Sequence, residues 1–306
     1  MALTYNQLTA ITQKKYLPIL VDNIFGSNPL LARWRKGEVY EETTFGEQFV
    51  VPLAYATTTA SGRYTGSATL GTDDNQQMTA AVFDLKQYYS NITVTRTDEL
   101  KNAGDEQIIS LVKSKVQLAE ASLSDILGTD LFNAGTTTDG IIGLRAMVDN
   151  SDTYGGIATA DASWWKAIED SSTTALSIPV LQGQIGDTTV GADRPTVIML
   201  TQDLYDDLFG LLQPQQRFQD TETANAGFTN LLFSGIPVIV DSHVPASFLF
   251  CLNEKYIMFK MHKDENFKFQ PFERPYNQNT AYAKIYTACI LASNNRRMHG
   301  KFSALV

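Results

Sequence analysis

A chain of 306 residues allows one large domain or two medium ones, and 43% hydrophobic content is enough for a sizeable core. No run reaches the roughly eighteen apolar residues that a membrane span needs. A net charge of −9 argues against a surface that grips phosphate, since Arg296, Arg297 and Lys301 form the one notable basic cluster.

The opening residues, Met-Ala-Leu-Thr-Tyr-Asn, carry neither the basic region nor the apolar run of a signal peptide, so a cytoplasmic origin is expected. Residues 1–37 read as an arm with short helices. Leu8, Ile11, Leu17, Ile19 and Leu20 give loose helical spacing interrupted by Pro18. A second start is clearer: Ser27-Asn28 as cap, Pro29 in the first turn, then Leu30, Leu31 and Trp34. Neither piece has the apolar surface to fold alone, so each must lie on something else, in this subunit or another.

Gln48–Ala54 reads as one strand and Val82–Thr95 as a longer one, with alternation in Ile92-Thr93-Val94-Thr95. The stretch between them, 57–79, is rich in Thr, Gly, Ser, Asp and Gln, with Tyr64, Leu70 and Met78 as its large apolar or aromatic side chains. Composition alone fits a surface insertion. The two good flanking strands fit an arm that projects onto a neighbouring subunit.

Residues 105–133 form the clearest element, a long amphipathic helix. Ile108, Val112, Val116, Ala119, Leu123, Ile126/Leu127 and Leu131 recur every three or four residues, while Lys113, Lys115, Glu120 and Asp125 take the other side. Asp105 after Gly104 is the expected cap. Gly128 would bend or end the helix early, and Gly135 is the safer stop. The full span runs about 40 Å, the length of a spine.

Later elements are shorter. Ile141–Val148 is an apolar segment, Trp164-Trp165 opens a helix, and Leu176–Ile185 continues as helix beyond Pro179. Thr196–Leu200 is a buried strand, and Thr201 caps a helix with Leu204, Leu208 and Leu211/Leu212 inward and Pro214 at its close. Residues 217–230 are polar and read as loop. Short strands follow at Ile236–Val240, Phe248–Leu252, Tyr256–Met261 and Phe267–Phe269, then a long one at Asn279–Ser293. Helices and strands alternate without a regular βαβ rhythm, which gives an α+β class.

The chemistry-bearing residues form no recognisable constellation. His243, His262 and His299 lack metal or catalytic spacing, and Ser234 has Leu232 and Ile236 where a nucleophile elbow needs glycines. Asp73-Asp74 suits a turn, and Asp206-Asp207 a solvated helix face. Trp164-Trp165, Tyr88-Tyr89 and Tyr282/Tyr286 suit packing. Cys251 and Cys289 lie in apolar runs and read as buried free thiols of a reducing compartment, which makes Asn91-Ile92-Thr93 a chance glycosylation triplet. No catalytic residue, cofactor or metal site is assigned.

The order of parts resembles the major capsid proteins of tailed bacteriophages with the Hong Kong 97-type shell fold. The resemblance covers nearly the whole chain. Its elements are the arm ending in Ser27-Asn28-Pro29-Leu30-Leu31, the strand–polar loop–strand of 48–95, and the spine helix. The glycine-marked turn (Gly135, Gly140, Gly143-Leu144), Phe233-Ser234-Gly235-Ile236-Pro237-Val238 and the late long strand complete it. The resemblance implies an N-terminal arm at 1–45, an extended-loop hairpin at 46–95, a peripheral domain at 96–145 and 266–306, and an axial domain at 146–265. It implies contacts between subunits at Arg63, Tyr64 and Leu70 of the loop and at Leu30 and Trp34 of the arm.

It also implies a non-enzymatic shell protein without cofactor. Homo-oligomeric hexamers and pentamers would close an icosahedral virion around double-stranded DNA without gripping it, assembled in the host cytoplasm and away from membranes. Portal and decoration proteins are the expected partners. With the arm first in the sequence, so is a separate scaffolding protein. Between Glu47 and Leu85 there is no lysine, only Arg63 as a cation, so a lysine–asparagine weld from this loop is not expected. An encapsulin-like compartment shell is the alternative on the same fold, and a small-oligomer α+β enzyme the alternative on another.

Overall fold

The computed structural model describes residues 28–44, 46, 48–73, 75–101, 105–135, 139–212, 231–277 and 279–306, with the side chains of 99–101 and 105–110 left out. The expected helical spacing in 1–27, the Asp105 cap, the inward side of Ile108, the Pro214 stop, Asp74 and the polar loop 217–230 lie outside the described residues.

In chain order the elements begin with α1 (Pro29–Lys36), β1 (Tyr40–Thr43), β2 (Gln48–Ala54), β3 (Met78–Asp84), β4 (Lys86–Thr95), α2 (Arg96–Lys101) and the spine α3 (Asp105–Leu131). Then come α4 (Leu144–Met147), β5 (Thr153–Tyr154), β6 (Ile157–Ala158), β7 (Ile168–Asp170), α5 (Ile178–Thr188), β8 (Val197–Leu200) and α6 (Gln202–Leu212). The rest are strands: β9 (Leu232–Phe233), β10 (Ile236–Val240), β11 (Leu249–Leu252), β12 (Ile257–His262), β13 (Lys268–Glu273), β14 (Thr280–Ser293) and β15 (Gly300–Phe302).

Two sheets organise these parts. In the first, β14 pairs with β4 on one side and with β12 and β13 on the other, and β1 adds in parallel to β12. The spine lies across this sheet. Val112, Val116, Ala119, Leu123, Leu127 and Leu131 are buried, as the spacing predicts, and they meet Tyr88, Ile92 and Val94 of β4 and Ala281, Ala283 and Ile285 of β14 in one core. Ile126 is the exception at 43% exposed, because Leu127 takes the inward position. The second sheet runs β7-β15-β11-β8-β10-β9 and holds a smaller core with Leu181, Leu204 and Leu208 from α5 and α6.

Sheet membership crosses the domain boundaries expected from the resemblance. β12 lies within 146–265 yet belongs to the first sheet, and β15 lies within 266–306 yet belongs to the second. β1 and β4 leave the arm and loop ranges in the same way. Backbone pairing decides these memberships, and composition carries no trace of it. The single strand expected at 82–95 is also two. It breaks at Leu85, with β3 paired to β2 and β4 paired to β14.

The arm expectation needs a correction at its second helix. Leu30 and Trp34 are 0% exposed within this one chain, with the Trp34 ring 5.9 Å from that of Phe259. Arg33 adds a two-pronged ion pair to Glu254, 2.7 Å at each contact. α1 therefore belongs to the core of its own subunit, and neither Leu30 nor Trp34 offers surface to another copy. Asn28 stands at the cap position, but its amide reaches across to the spine and donates to Ser124 Oγ and carbonyl oxygen at 3.1 and 3.2 Å.

Gly128 does not end the spine, which runs on to Leu131. A Cβ there would sit 2.5 Å from the His243 ring and 2.7 Å from Asn28 Oδ1, so the glycine is a notch that seats two other segments. Gly128→Ala is expected to lower the unfolding free energy of the subunit by about 1–2 kcal/mol in urea. The overpacking cost outweighs the roughly 1 kcal/mol gained in helix propensity. The helix stops after Leu131, and Gly135 then adopts φ +76°.

Candidate assembly surface

Among the described residues the strands of the hairpin β2–β3 pair only with each other, outside the ladders of both main sheets. Alternation sets the root of the hairpin: Val51, Leu53, Ala81 and Phe83 are buried, with the more exposed Pro52 and Val82 between them. The root rests on the β5–β6 turn, where Val82 N–H donates to the Gly155 carbonyl at 2.9 Å and the Phe83 ring meets Tyr154 edge-on at 5.0 Å. Gly155 is required, because φ is +60° and a Cβ would lie 2.8 Å from Ala81. Tyr55 stacks on Trp164 at 4.8 Å, and Lys260 lies 4.7 Å over the Phe49 ring.

Beyond Tyr55 the chain leaves the body. Residues 61–73 are all exposed, including Arg63, with Tyr64 at 67% and Leu70 at 60%. Asn75 organises the base of this tip: its Oδ1 accepts from Thr59 N–H at 3.1 Å and its Nδ2 donates to the Thr57 carbonyl at 3.2 Å. The few large side chains of this tip, Tyr64 and Leu70, have no cover among the described residues of their own chain. The outer ridge of the spine adds Leu118 at 68% exposed, a residue that the inward-stripe reading leaves out.

The basic cluster proves to be interior. Arg296 is fully buried, donates to the carbonyls of Met147, Ala146 and Asp149 at 2.7, 3.0 and 2.7 Å, and lies 5.0 Å over the Tyr154 ring. Lys301 is 4% exposed and pairs with Asp149 at 2.8 Å and Glu169 at 3.1 Å. Burial would raise the Asp149 carboxyl, but the Lys301 ammonium and the Ser151 N–H hold it well below the usual carboxylate range. Only Arg297 of the three faces solvent. These cations hold the chain after the spine onto the C-terminal strand and present no phosphate-binding patch.

Each histidine has a local structural bond. His243 Nδ1 meets Asp241 at 2.9 Å, with Nε2 at 3.5 Å from Asp125 on the spine. His262 accepts from Asp264 N–H at 3.2 Å. His299 is buried between Asn253 N–H and Ser293 Oγ, 3.3 Å from each, and burial with the Arg296 charge pushes it down to about 3. Ser234 occupies a tight turn with Gly235, at φ +52° and +77°. Burial pushes the Cys251 and Cys289 thiols up to about 12, which leaves them inert. Among the described residues no group of three or more His, Cys, Asp and Glu could hold a metal ion, and no helix is long and apolar enough to cross a membrane.

Tyr88 ties the spine to the turn beyond its C-terminus. Its hydroxyl donates to Asp130 Oδ2 at 2.7 Å and accepts from the buried Ile141 N–H at 2.8 Å. Tyr88→Phe orphans that N–H, and denaturant titration of the subunit is expected to show a loss of about 1–3 kcal/mol.

No family model and no curated protein matches the sequence. Solved structures match it over most of its length. The cyanophage A-1(L) capsid aligns with a TM-score of 0.68 at 15% identity, covering 91% of this chain and 93% of that one. This chain has the Hong Kong 97-type capsid fold. The capsid of the native GTA particle aligns at TM-score 0.63 and 10% identity over 90% of both chains. The holo-SrpI encapsulin complex from Synechococcus elongatus PCC 7942 aligns at 0.56 and 11%, over 89% of this chain and 87% of that one.

Proposed function

We propose that this chain is the major shell subunit of a tailed-phage particle. Copies form hexamers and pentamers, close an icosahedral virion around double-stranded DNA in the host cytoplasm, and carry out no catalysis. The observation that carries this reading is the hairpin tip, held at its base by the Asn75 hydrogen bonds yet uncovered on its own chain, on a fold shared with phage capsids. Arg63, Tyr64 and Leu70 are its contact residues on a neighbouring copy. Many modest contacts repeated around a ring then add through multivalency.

The interior position of Arg296 and Lys301 supports a shell that encloses DNA without gripping it, which leaves the duplex free to move during filling. A separate scaffolding protein, a portal and decoration proteins complete the partner set. Gradient-purified particles treated with nuclease test the reading. Protected double-stranded DNA supports it. Particles that hold an enzyme and no protected DNA support a compartment shell instead, and the absence of particles contradicts both.

A further inference from the structure

The edges of the two main sheets are guarded unequally. A bare strand edge invites pairing with another chain, and natural proteins blunt it with shortness, charge, proline or a bulge. β9 and β7 are two and three residues long, and β1 has four residues that include Glu41 and Glu42. β13 carries Pro271 and a register shift between Gln270 and Glu273. β4 has none of these protections. It runs ten residues in continuous register, from Lys86 opposite Cys289 to Thr95 opposite Thr280, with no proline and its one charge at the first position.

Among the described residues, Gln87–Val94 make no backbone hydrogen bond beyond the ladder to β14. The spine covers one face of this strand through Ile92 and Val94, while Tyr89, Asn91 and Thr93 are exposed on the other. Among the described residues the open side of Gln87–Val94 is therefore a row of unpaired N–H and C=O groups about 25 Å long.

We propose that β4 pairs antiparallel with β4 of a second copy about a twofold axis at Asn91, joining the first sheets of two subunits. The strand is complementary to itself in this register. Tyr89 falls opposite Thr93 and Gln87 opposite Thr95 on the exposed face. Tyr88 falls opposite Val94 and Ser90 opposite Ile92 on the buried one; no charge lies between 87 and 95, and Lys86 meets Arg96 only beyond the two ends of this stretch. A twofold contact of this kind is isologous and needs only one kind of chain. The inference rests on the shell reading for the particle in which the contact is made.

Single cysteines test it, because Cys251 and Cys289 are both fully buried and give little background. In the proposed register the two Asn91 Cβ atoms lie about 5 Å apart, within reach of a disulfide, whereas the two Gln87 positions are about 26 Å apart. Oxidised particles of Asn91→Cys should run as covalent dimers on a non-reducing gel, and Gln87→Cys particles as monomers. Intact Asn91→Cys particles without dimers, or equal cross-linking at both positions, would overturn the pairing and leave the shell reading standing. If no particles form, the same oxidation on free subunits separates the two: dimers through Asn91 keep the edge contact while the shell falls, and monomers remove both.

Discussion

Replacing residues 57–75 by Asn-Gly is expected to yield a folded, soluble subunit that forms no closed particles. The replacement joins Ala56 to Gln76 through a two-residue turn whose twist suits the β2–β3 ladder, and the pairing from Ala54↔Met78 to Gln48↔Asp84 stays intact. The root contacts, Val82 to Gly155 and Tyr55 on Trp164, also remain. The excised stretch has its large side chains, Tyr64 and Leu70, mostly in solvent, so the unfolding free energy should move by no more than about 0.5 kcal/mol. Closed particles seen by electron microscopy should fall below detection, because every contact of the tip is repeated at each copy. Closed shells in normal yield would remove the hairpin from the assembly.

Acidification should weaken the subunit through His299, in a window set by its burial. The native state keeps this imidazole neutral. Burial and the Arg296 charge push it down to about 3, and Nδ1 must stay unprotonated to accept from Asn253 N–H. In the unfolded chain the same group titrates near about 6.5, so below that pH the unfolded state binds a proton that the native state refuses. Stability from this residue is complete above about pH 6.5 and falls as the pH drops toward 3. By pH 5 the loss is about 2 kcal/mol, while most carboxylates are still ionised. His299→Gln can keep one donor and one acceptor, should be less stable at pH 7, and should lose less between pH 7 and pH 5. Parallel urea-denaturation profiles for the two proteins would contradict this assignment.

Much of the frame was legible in the sequence because local periodicity wrote it. The stripe Val112, Val116, Ala119, Leu123, Leu127 and Leu131 is buried as its spacing requires, and the strands at 48–54, 197–200, 236–240 and 280–293 fall close to where alternation or apolar runs place them. The uncovered tip was legible through composition, since a mostly polar stretch between two good strands has no core to join.

The misses share a different physics, in which distant partners decide. Leu85 separates two strands because its neighbours pair with different sheets, a fact that no window around it contains. Leu30 and Trp34 looked like contact residues because α1 has no core of its own, and Phe259, more than two hundred residues away, supplies one. Arg296 and Lys301 read as a basic cluster until the carbonyls at the end of α4 and the carboxylates of Asp149 and Glu169 came to surround them. Gly128 read as a helix breaker because a sequence shows flexibility more readily than a notch.

The mass of the purified chain in solution tests the central claim most directly. A shell subunit is predicted to appear at concentrations of a few micromolar as capsomer rings or megadalton spheres under light scattering and electron microscopy. A stable 33.8 kDa monomer or a small closed dimer at those concentrations, even with scaffolding partners supplied, would contradict it.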